Sequence, residues 1–197
     1  MTPTWPSRLL ATHPRQPDQR SCGASVLVVE RALRDDDYAR FLVTGRHPAT
    51  GFERLGHLGD RFREEVLGMH RRTTGPVAVT GRLQLPWPRA LGTPPWAVAG
   101  QLSEPGRARV VRWAWRRRAL LDLMDAQVAV GTTVPLYVGS RWLPRHVVLV
   151  TRADDETLEC YEPGRGRLVR FTRQSFIDGT LGLAGWTRPW CAVLPRA

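Results

Sequence analysis

Cys22 has the sequence setting of a reactive thiol. It follows a proline-containing loop and stands two residues before the apolar run 24–29. This run predicts a buried helix over residues 21–33. A thiol at the start of a helix lies beside free backbone N–H groups and the positive end of the helix dipole, and both favour the thiolate. Ser21 is a candidate N-cap, and Gly23 is expected to leave the space above the sulfur free of a side chain. This setting predicts nucleophilic attack on a carbonyl carbon.

Two glutamines precede the thiol and are candidates for stabilising the negative charge that such an attack creates. Gln16 lies six residues before Cys22, and Gln19 lies three residues before it. A side-chain amide on this loop can form an oxyanion hole together with the backbone N–H of Cys22, and the six-residue spacing favours Gln16. The alternative for Cys22 is a buried core thiol, the common fate of a cysteine followed by small and aliphatic residues.

A histidine and a glutamate in the last third of the chain can complete this chemistry. His146 begins an aliphatic strand, and Glu162 lies one hairpin further along. Adjacent antiparallel strands bring side chains face to face, so Glu162 can accept the imidazole N–H and fix the tautomer of His146. His146 would then form an ion pair with the thiolate and later protonate the leaving group. A hydrogen-bonded residue at the rim of the strand is the alternative for His146, and His57 and His70 are rival bases.

The spacing of these residues resembles that of the papain-like cysteine peptidase superfamily, and within it the bacterial C39-like branch. The resemblance rests on Gln16, the Cys22-Gly23 pair and the helix that follows. Residues 145–150 and 161–164 resemble, in the same order, the strand that carries the general base and the segment that carries the residue orienting it. The matching stretches are residues 16–30 and about 132–176, and the part between them is not matched.

The resemblance implies a cysteine hydrolase that cleaves a peptide or amide bond through an acyl-enzyme on Cys22, with no cofactor and no metal ion. His146 and Glu162 would complete a catalytic triad, although the family more often has Asp or Asn at the third position. Gly23, Trp96 and Arg145 are expected at the substrate site, with core packing as the alternative for Trp96. The same fold also admits an acyltransferase or transglutaminase-like enzyme, or a non-catalytic basic module that binds an anionic partner.

The charge balance is strongly basic. The 197 residues carry a net charge of +11, and all 29 basic side chains are arginines. Most of them are scattered, but in residues 112–118 Trp113 and Trp115 alternate with arginines, a pattern that can bind nucleic acid or form an amphipathic strand running into a helix. An acidic substrate or another anionic partner fits the charge equally well, and nucleic-acid binding is the subordinate hypothesis.

Other compositional features restrict the class of protein. Three scattered cysteines do not make a disulfide framework, and none of them has the close spacing of zinc ligands. No apolar run approaches the length of a membrane helix, and the first 15 residues lack the apolar segment of a signal peptide. The sequence therefore predicts a cytoplasmic protein that does not associate with membranes.

The pattern of apolar residues predicts a single α+β domain over residues 1–197, and the resemblance implies that this domain has a papain-like fold. Four prolines predict an extended arm over residues 1–20, followed by a mainly helical part at 21–130 and a β-rich part at 131–197. Helices are predicted at residues 21–33, 37–43, 58–70, 95–102 and 116–128, with a short one after Thr172. Strands are predicted at residues 108–113, 134–138, 146–151, 158–161, 168–171 and 190–194. The resemblance implies that the active site lies in the groove between the helix that begins at Cys22 and the antiparallel sheet.

Overall fold

A computed structural model describes residues 3–77, 83–104 and 106–196. Within these ranges the chain forms seven α-helices and a six-stranded antiparallel sheet, which confirms the α+β class. The helices are α1 (Trp5–Ala11), α2 (Cys22–Arg34), α3 (Asp36–Thr44), α4 (Leu58–Thr74), α5 (Pro95–Leu102), α6 (Arg117–Ala129) and α7 (Arg173–Asp178). The strands are β1 (Arg109–Trp113), β2 (Val134–Gly139), β3 (Pro144–Ala153), β4 (Thr157–Glu162), β5 (Arg167–Thr172) and β6 (Arg188–Pro195).

The strands lie in the order β1-β6-β2-β3-β4-β5. Strands β2 to β5 form a meander because short turns join each strand to the next one. β6 then returns to pair with β2 on the opposite side from β3, and β1 pairs with β6 at the edge. Since every pairing is antiparallel, the start of β3, the end of β4, the start of β6 and the end of β1 all lie at the same end of the sheet.

Two apolar cores cover the two faces of the sheet. The first contains buried residues of α2 to α5, and the second contains buried residues of α6 and α7. Successive side chains of a strand point to opposite faces of the sheet, so Tyr137 lies in the first core and Leu136 in the second. Helix α2 is buried along nearly its whole length, as expected for a helix that is apolar on most sides. No helix in the described ranges is long and apolar enough to cross a membrane.

The prediction of an extended N-terminal arm is wrong for residues 5–11, which form α1. Thr4 caps this helix by accepting the N–H of Ser7. Pro6 lies in the first turn, where its missing N–H costs no hydrogen bond and its fixed backbone angle suits a helix. Leu9 is fully buried, and α1 packs against α3. Prolines break a helix in its interior, but a proline in the first turn begins one.

The sequence Asp35-Asp36-Asp37 forms the start of α3. Asp35 caps the helix by accepting the N–H of Tyr38 at 2.9 Å, and the next two carboxylates lie in the first turn. There they face the positive end of the helix dipole. The three acids therefore stabilise a helix start, and among the described residues no group of three acidic, histidine or cysteine side chains is placed to hold a metal ion.

Candidate active site

Cys22 is the first residue of α2, and 5% of it is exposed. Ser21 precedes the helix but makes no side-chain capping hydrogen bond, because its hydroxyl donates to the carbonyl of Asp18. The thiol therefore lies at a helix N-terminus whose first N–H groups are not capped by Ser21.

The space beside Gly23 is filled, which corrects the expectation that it lies open. A Cβ added to Gly23 would lie 2.8 Å from the Cβ of Thr93, closer than such atoms approach in proteins. The hydroxyl of Tyr137 donates to the carbonyl of Thr93 at 2.9 Å and fixes this segment against the sheet. Glycine at position 23 thus allows the chain at residue 93 to pack closely against the start of α2, next to Cys22.

His146 and Glu162 are in direct contact. Nε2 of His146 donates a hydrogen bond to Oε1 of Glu162 at 2.7 Å. Both residues are buried, with 7% of His146 and 1% of Glu162 exposed. The contact follows from the sheet register, in which Leu149 of β3 faces Tyr161 of β4, so that the start of β3 lies beside the end of β4.

The carboxylate of Glu162 is held by the turn that follows it. Its Oε1 accepts the backbone N–H of Gly164 at 2.7 Å, and its Oε2 accepts that of Arg165 at 2.9 Å. Burial acts to raise the pKa of Glu162, but the hydrogen bonds from His146 and from these backbone groups outweigh it and hold the pKa below its ordinary value. Glu162 is therefore a fixed anion at neutral pH.

Cys22 and Glu162 both act on His146. Burial acts to lower the pKa of this imidazole, but hydrogen bonds to the side chains of Cys22 and Glu162 outweigh burial and raise the pKa to about 9. His146 is consequently an imidazolium at neutral pH. Because Nε2 contacts Glu162, Nδ1 is the ring nitrogen left for the sulfur.

Gln16 lies on the loop that precedes α2, and this loop is hydrogen-bonded to the turn after Glu162. Its backbone N–H donates to the carbonyl of Pro163 at 2.9 Å, which joins the loop to the turn after Glu162. Its side-chain Nε2 donates to the carbonyl of Asp18 at 2.7 Å. An amide nitrogen carries two N–H groups, so this contact uses only one of them. Gln19 is exposed on the same loop.

The residues expected at the substrate site occupy separate positions around this group. Gly23 contacts Thr93, as described above. Trp96 is partly exposed at the start of α5, where its ring meets that of Trp87 edge-on at 5.0 Å. Arg145 is exposed and directly precedes His146.

The two rival histidines lie elsewhere. His57 is an exposed residue just before α4. His70 is buried on α4, with Nδ1 3.5 Å from the hydroxyl of Thr93, and burial lowers its pKa. The burial of His70 is not evident from the sequence, because the apolar stripe of α4 predicts one exposed face without showing which distant segments cover the rest. The sequence also gave no sign that Thr93 and Tyr137 would pack beside Cys22, since both lie far from it along the chain.

The other two cysteines are core residues. Cys160 and Cys191 are fully buried in the two opposite cores. Burial raises the pKa of Cys191 to about 12, and it also raises the pKa of Cys160 well above its ordinary range. At neutral pH both remain thiols, which are poor nucleophiles.

No protein-family model matches the chain, and no curated protein is significantly similar to it in sequence.

Proposed function

We propose that the protein is a papain-like cysteine hydrolase that cleaves a peptide or amide bond through an acyl-enzyme on Cys22. The observation that supports this best is the buried hydrogen bond of 2.7 Å between His146 and Glu162, together with the influence of Cys22 on the pKa of the same imidazole. A thiol at a helix start, an imidazole with a raised pKa and a buried carboxylate are the parts that nucleophilic thiol catalysis requires.

The mechanism begins with the thiolate of Cys22 attacking the carbonyl carbon of the substrate. The C=O electron pair moves to the oxygen, where the backbone N–H of Cys22 and the free N–H of the Gln16 amide stabilise the negative charge. His146 gives its proton to the leaving nitrogen as the C–N bond breaks, which leaves a thioester and an amine. His146 then takes a proton from water, whose oxygen attacks the thioester, and the acid product and Cys22 thiolate are released.

Glu162 acts as a positioning residue in this proposal. A glutamate is longer than the Asp or Asn that the family more often has, and this length would weaken the orientation of the imidazole if the side chain were free. Two backbone N–H groups of the following turn remove that freedom. The carboxylate thus orients His146 and stabilises its charge.

The test is selective alkylation of Cys22. At pH 6, iodoacetamide is expected to label Cys22 at least about tenfold faster than Cys160 or Cys191, because Cys22 lies at a helix start and acts on His146, whereas burial keeps the other two sulfurs protonated. Peptide mapping by mass spectrometry gives the three rates, and labelling in denaturant shows that all three sites are detected. In His146→Ala the rate at Cys22 is expected to fall to that of an ordinary thiol.

Equal and slow labelling of all three native cysteines would exclude the proposed nucleophile. Hydrolysis is tested separately with a mixed peptide library, in which products should appear with the wild-type protein and not with Cys22→Ala. An amine added to the same reaction distinguishes hydrolysis from acyl transfer, because a transferase would give a new amide in place of the free acid.

A further inference from the structure

Tryptophans and arginines, four of them exposed and two partly buried, cluster at the end of the sheet where His146 lies. We name the set the tryptophan–arginine surface: Trp113, Trp115, Trp142, Arg117, Arg141 and Arg188. Trp115 is 85% exposed and Trp142 is 71% exposed. Leaving such large apolar rings in water is unfavourable, and exposed aromatic and arginine side chains are enriched where proteins bind partners.

The surface surrounds a cavity of about 240 Å³. Trp113, Trp115 and Trp190 contribute its apolar walls. The indole N–H of Trp190 donates to the carbonyl of Ser140 at 2.9 Å and so fixes the turn between β2 and β3 next to the cavity. That turn carries Arg141, whose guanidinium lies 4.4 Å from the ring centre of Trp142.

The charge of the surface is not neutralised within the described part of the chain. Arg117 donates to the carbonyl of Ile177 at 2.7 Å, and Arg188 donates to that of Asp178 at 3.3 Å. A Cβ added to Gly179 would lie 3.0 Å from Nη1 of Arg117 and 2.6 Å from Nη1 of Arg188. The two cations therefore lie side by side. Among the described residues no carboxylate lines the cavity or pairs with these arginines. An anionic ligand would relieve this repulsion.

The sheet register places the cavity close to the candidate active site. Val138 of β2 pairs with His146 on one side and with Pro189 on the other, and Pro189 lines the cavity. Two strand spacings amount to roughly 10 Å, a distance that about three residues of extended peptide cover. His146 protonates the leaving amine in the proposed mechanism, so the leaving part of the substrate begins beside His146.

We propose that the tryptophan–arginine surface binds an acidic segment in the leaving part of a peptide substrate. An apolar side chain of that segment enters the cavity, and aspartate or glutamate side chains contact the arginines. This inference rests on the proposed hydrolase. A peptide is favoured over a nucleic acid because the occupant continues from an amide bond only about three residues away.

The experiment measures peptide binding to the full chain carrying Cys22→Ala, which cannot cleave. The probes are a fluorescein-labelled decapeptide rich in Glu with one Phe, the same peptide with Gln in place of Glu, and a ten-nucleotide thymidine strand. Fluorescence anisotropy should show the acidic peptide binding at least about tenfold more tightly than the neutral one, because charge-assisted hydrogen bonds require the carboxylates. Adding Trp115→Ala and Arg141→Gln should weaken acidic-peptide binding about tenfold.

The matched control is Arg63→Gln, which removes an exposed arginine of α4 and should leave the affinity unchanged. Circular dichroism and the unfolding midpoint show whether each variant is folded. Both substituted residues of the double variant are exposed and lie outside the arginine contacts to α7.

Three outcomes overturn the inference: equal binding of the acidic and neutral peptides, unchanged affinity in the double variant, or tighter binding of the thymidine strand that the double variant abolishes. The last result would make the surface a nucleic-acid site. Alkylation of Cys22 tests the proposed hydrolase independently of peptide binding. If Cys22 resists alkylation while the acidic peptide still binds through these residues, the hydrolase is excluded and the surface stands only as a peptide-binding site.

Discussion

The carboxylate of Glu162 determines the charge state of the candidate active site. It is buried, and it accepts hydrogen bonds from His146 and from two backbone N–H groups of the following turn. These bonds keep it ionised, and the anion in turn helps to keep the imidazole protonated. A change at any of these contacts should therefore reach Cys22 through His146.

Gly164→Ala tests this dependence without removing a reactive group. A Cβ at this position would lie 2.9 Å from Oε1 of Glu162, the same oxygen that accepts from His146, so the carboxylate must shift and its hydrogen bond to His146 changes. We expect alkylation of Cys22 at pH 6 to slow by about tenfold, which corresponds to about 1.4 kcal/mol. Gly100→Ala is the control, because a Cβ there meets no atom within 4 Å. Unchanged alkylation in a folded Gly164→Ala protein would show that Glu162 does not tune the thiol.

The raised pKa of His146 also predicts how stability depends on pH. An ordinary histidine titrates near pH 6.5, whereas His146 has a pKa of about 9 in the folded chain. Because the folded state binds this proton more tightly, the stabilisation is complete below pH 6.5 and is lost as the pH rises through 9. The loss is at most about 3 kcal/mol.

Urea unfolding at pH 6.0 and pH 9.5 measures this loss as a change in the free energy of unfolding. The His146→Gln protein is the reference, because every other titrating group is the same in both proteins. We expect the wild-type protein to lose more stability between the two pH values than the variant does. The same loss in both proteins would mean that His146 does not gain a proton on folding.

The start of α2 is positioned by a segment that is distant in sequence. Thr93 fills the space beside Gly23, and its carbonyl accepts the hydroxyl of Tyr137 from the sheet. The same threonine lies 3.5 Å from the buried His70 of α4. The segment at residue 93 thus connects α2, α4 and the sheet beside Cys22, and these elements must fit one another closely.

Gly23→Ala is expected to lower the free energy of unfolding by about 1–3 kcal/mol, because overpacking at the 2.8 Å contact forces the backbone apart. Urea unfolding measures the change, again with Gly100→Ala as the control for a helical glycine that has open space. Thr93→Gly removes the three nearest atoms, so it should restore part of the stability when it is combined with Gly23→Ala. Additive losses in the double variant would contradict a direct clash.

The whole molecule carries an excess of positive charge. Arginines outnumber the 18 acidic residues to give the net charge of +11. Several ion pairs form, such as those of Arg34 with Glu30 and Glu104. Exposed pairs contribute little, whereas the unbalanced charge repels itself across the entire surface.

Salt should therefore stabilise the protein. Raising NaCl from about 20 to about 200 mM shortens the Debye length from roughly 20 to roughly 7 Å, which screens the repulsion, and we expect Tm to rise by a few degrees. The control reverses three exposed arginines in one variant: Arg63→Glu, Arg118→Glu and Arg196→Glu. This lowers the net charge from +11 to +5, since each reversal removes two positive charges. Its Tm should depend less on salt, and a wild-type Tm that falls with salt would contradict the prediction.

The sequence by itself determined where most helices and strands lie. The helix at Cys22 and the strand at His146 were predicted within about two residues, because the periodicity of apolar side chains is a local property. The order of the strand segments and their short turns also predicted that Glu162 would lie beside His146. The helix at Trp5–Ala11 is absent from the prediction, because the prolines around it indicate an extended chain more strongly than its cap indicates a helix.

Only the tertiary structure decided what surrounds the candidate active site. The packing of Thr93 against Gly23, the burial of His70 and the anchoring of Gln16 to Pro163 all join residues that are far apart in the chain. A local pattern specifies which face of an element is apolar, but it does not specify which distant segment covers that face. That choice depends on how the loops close and how the side-chain volumes fit, and both are properties of the assembled fold.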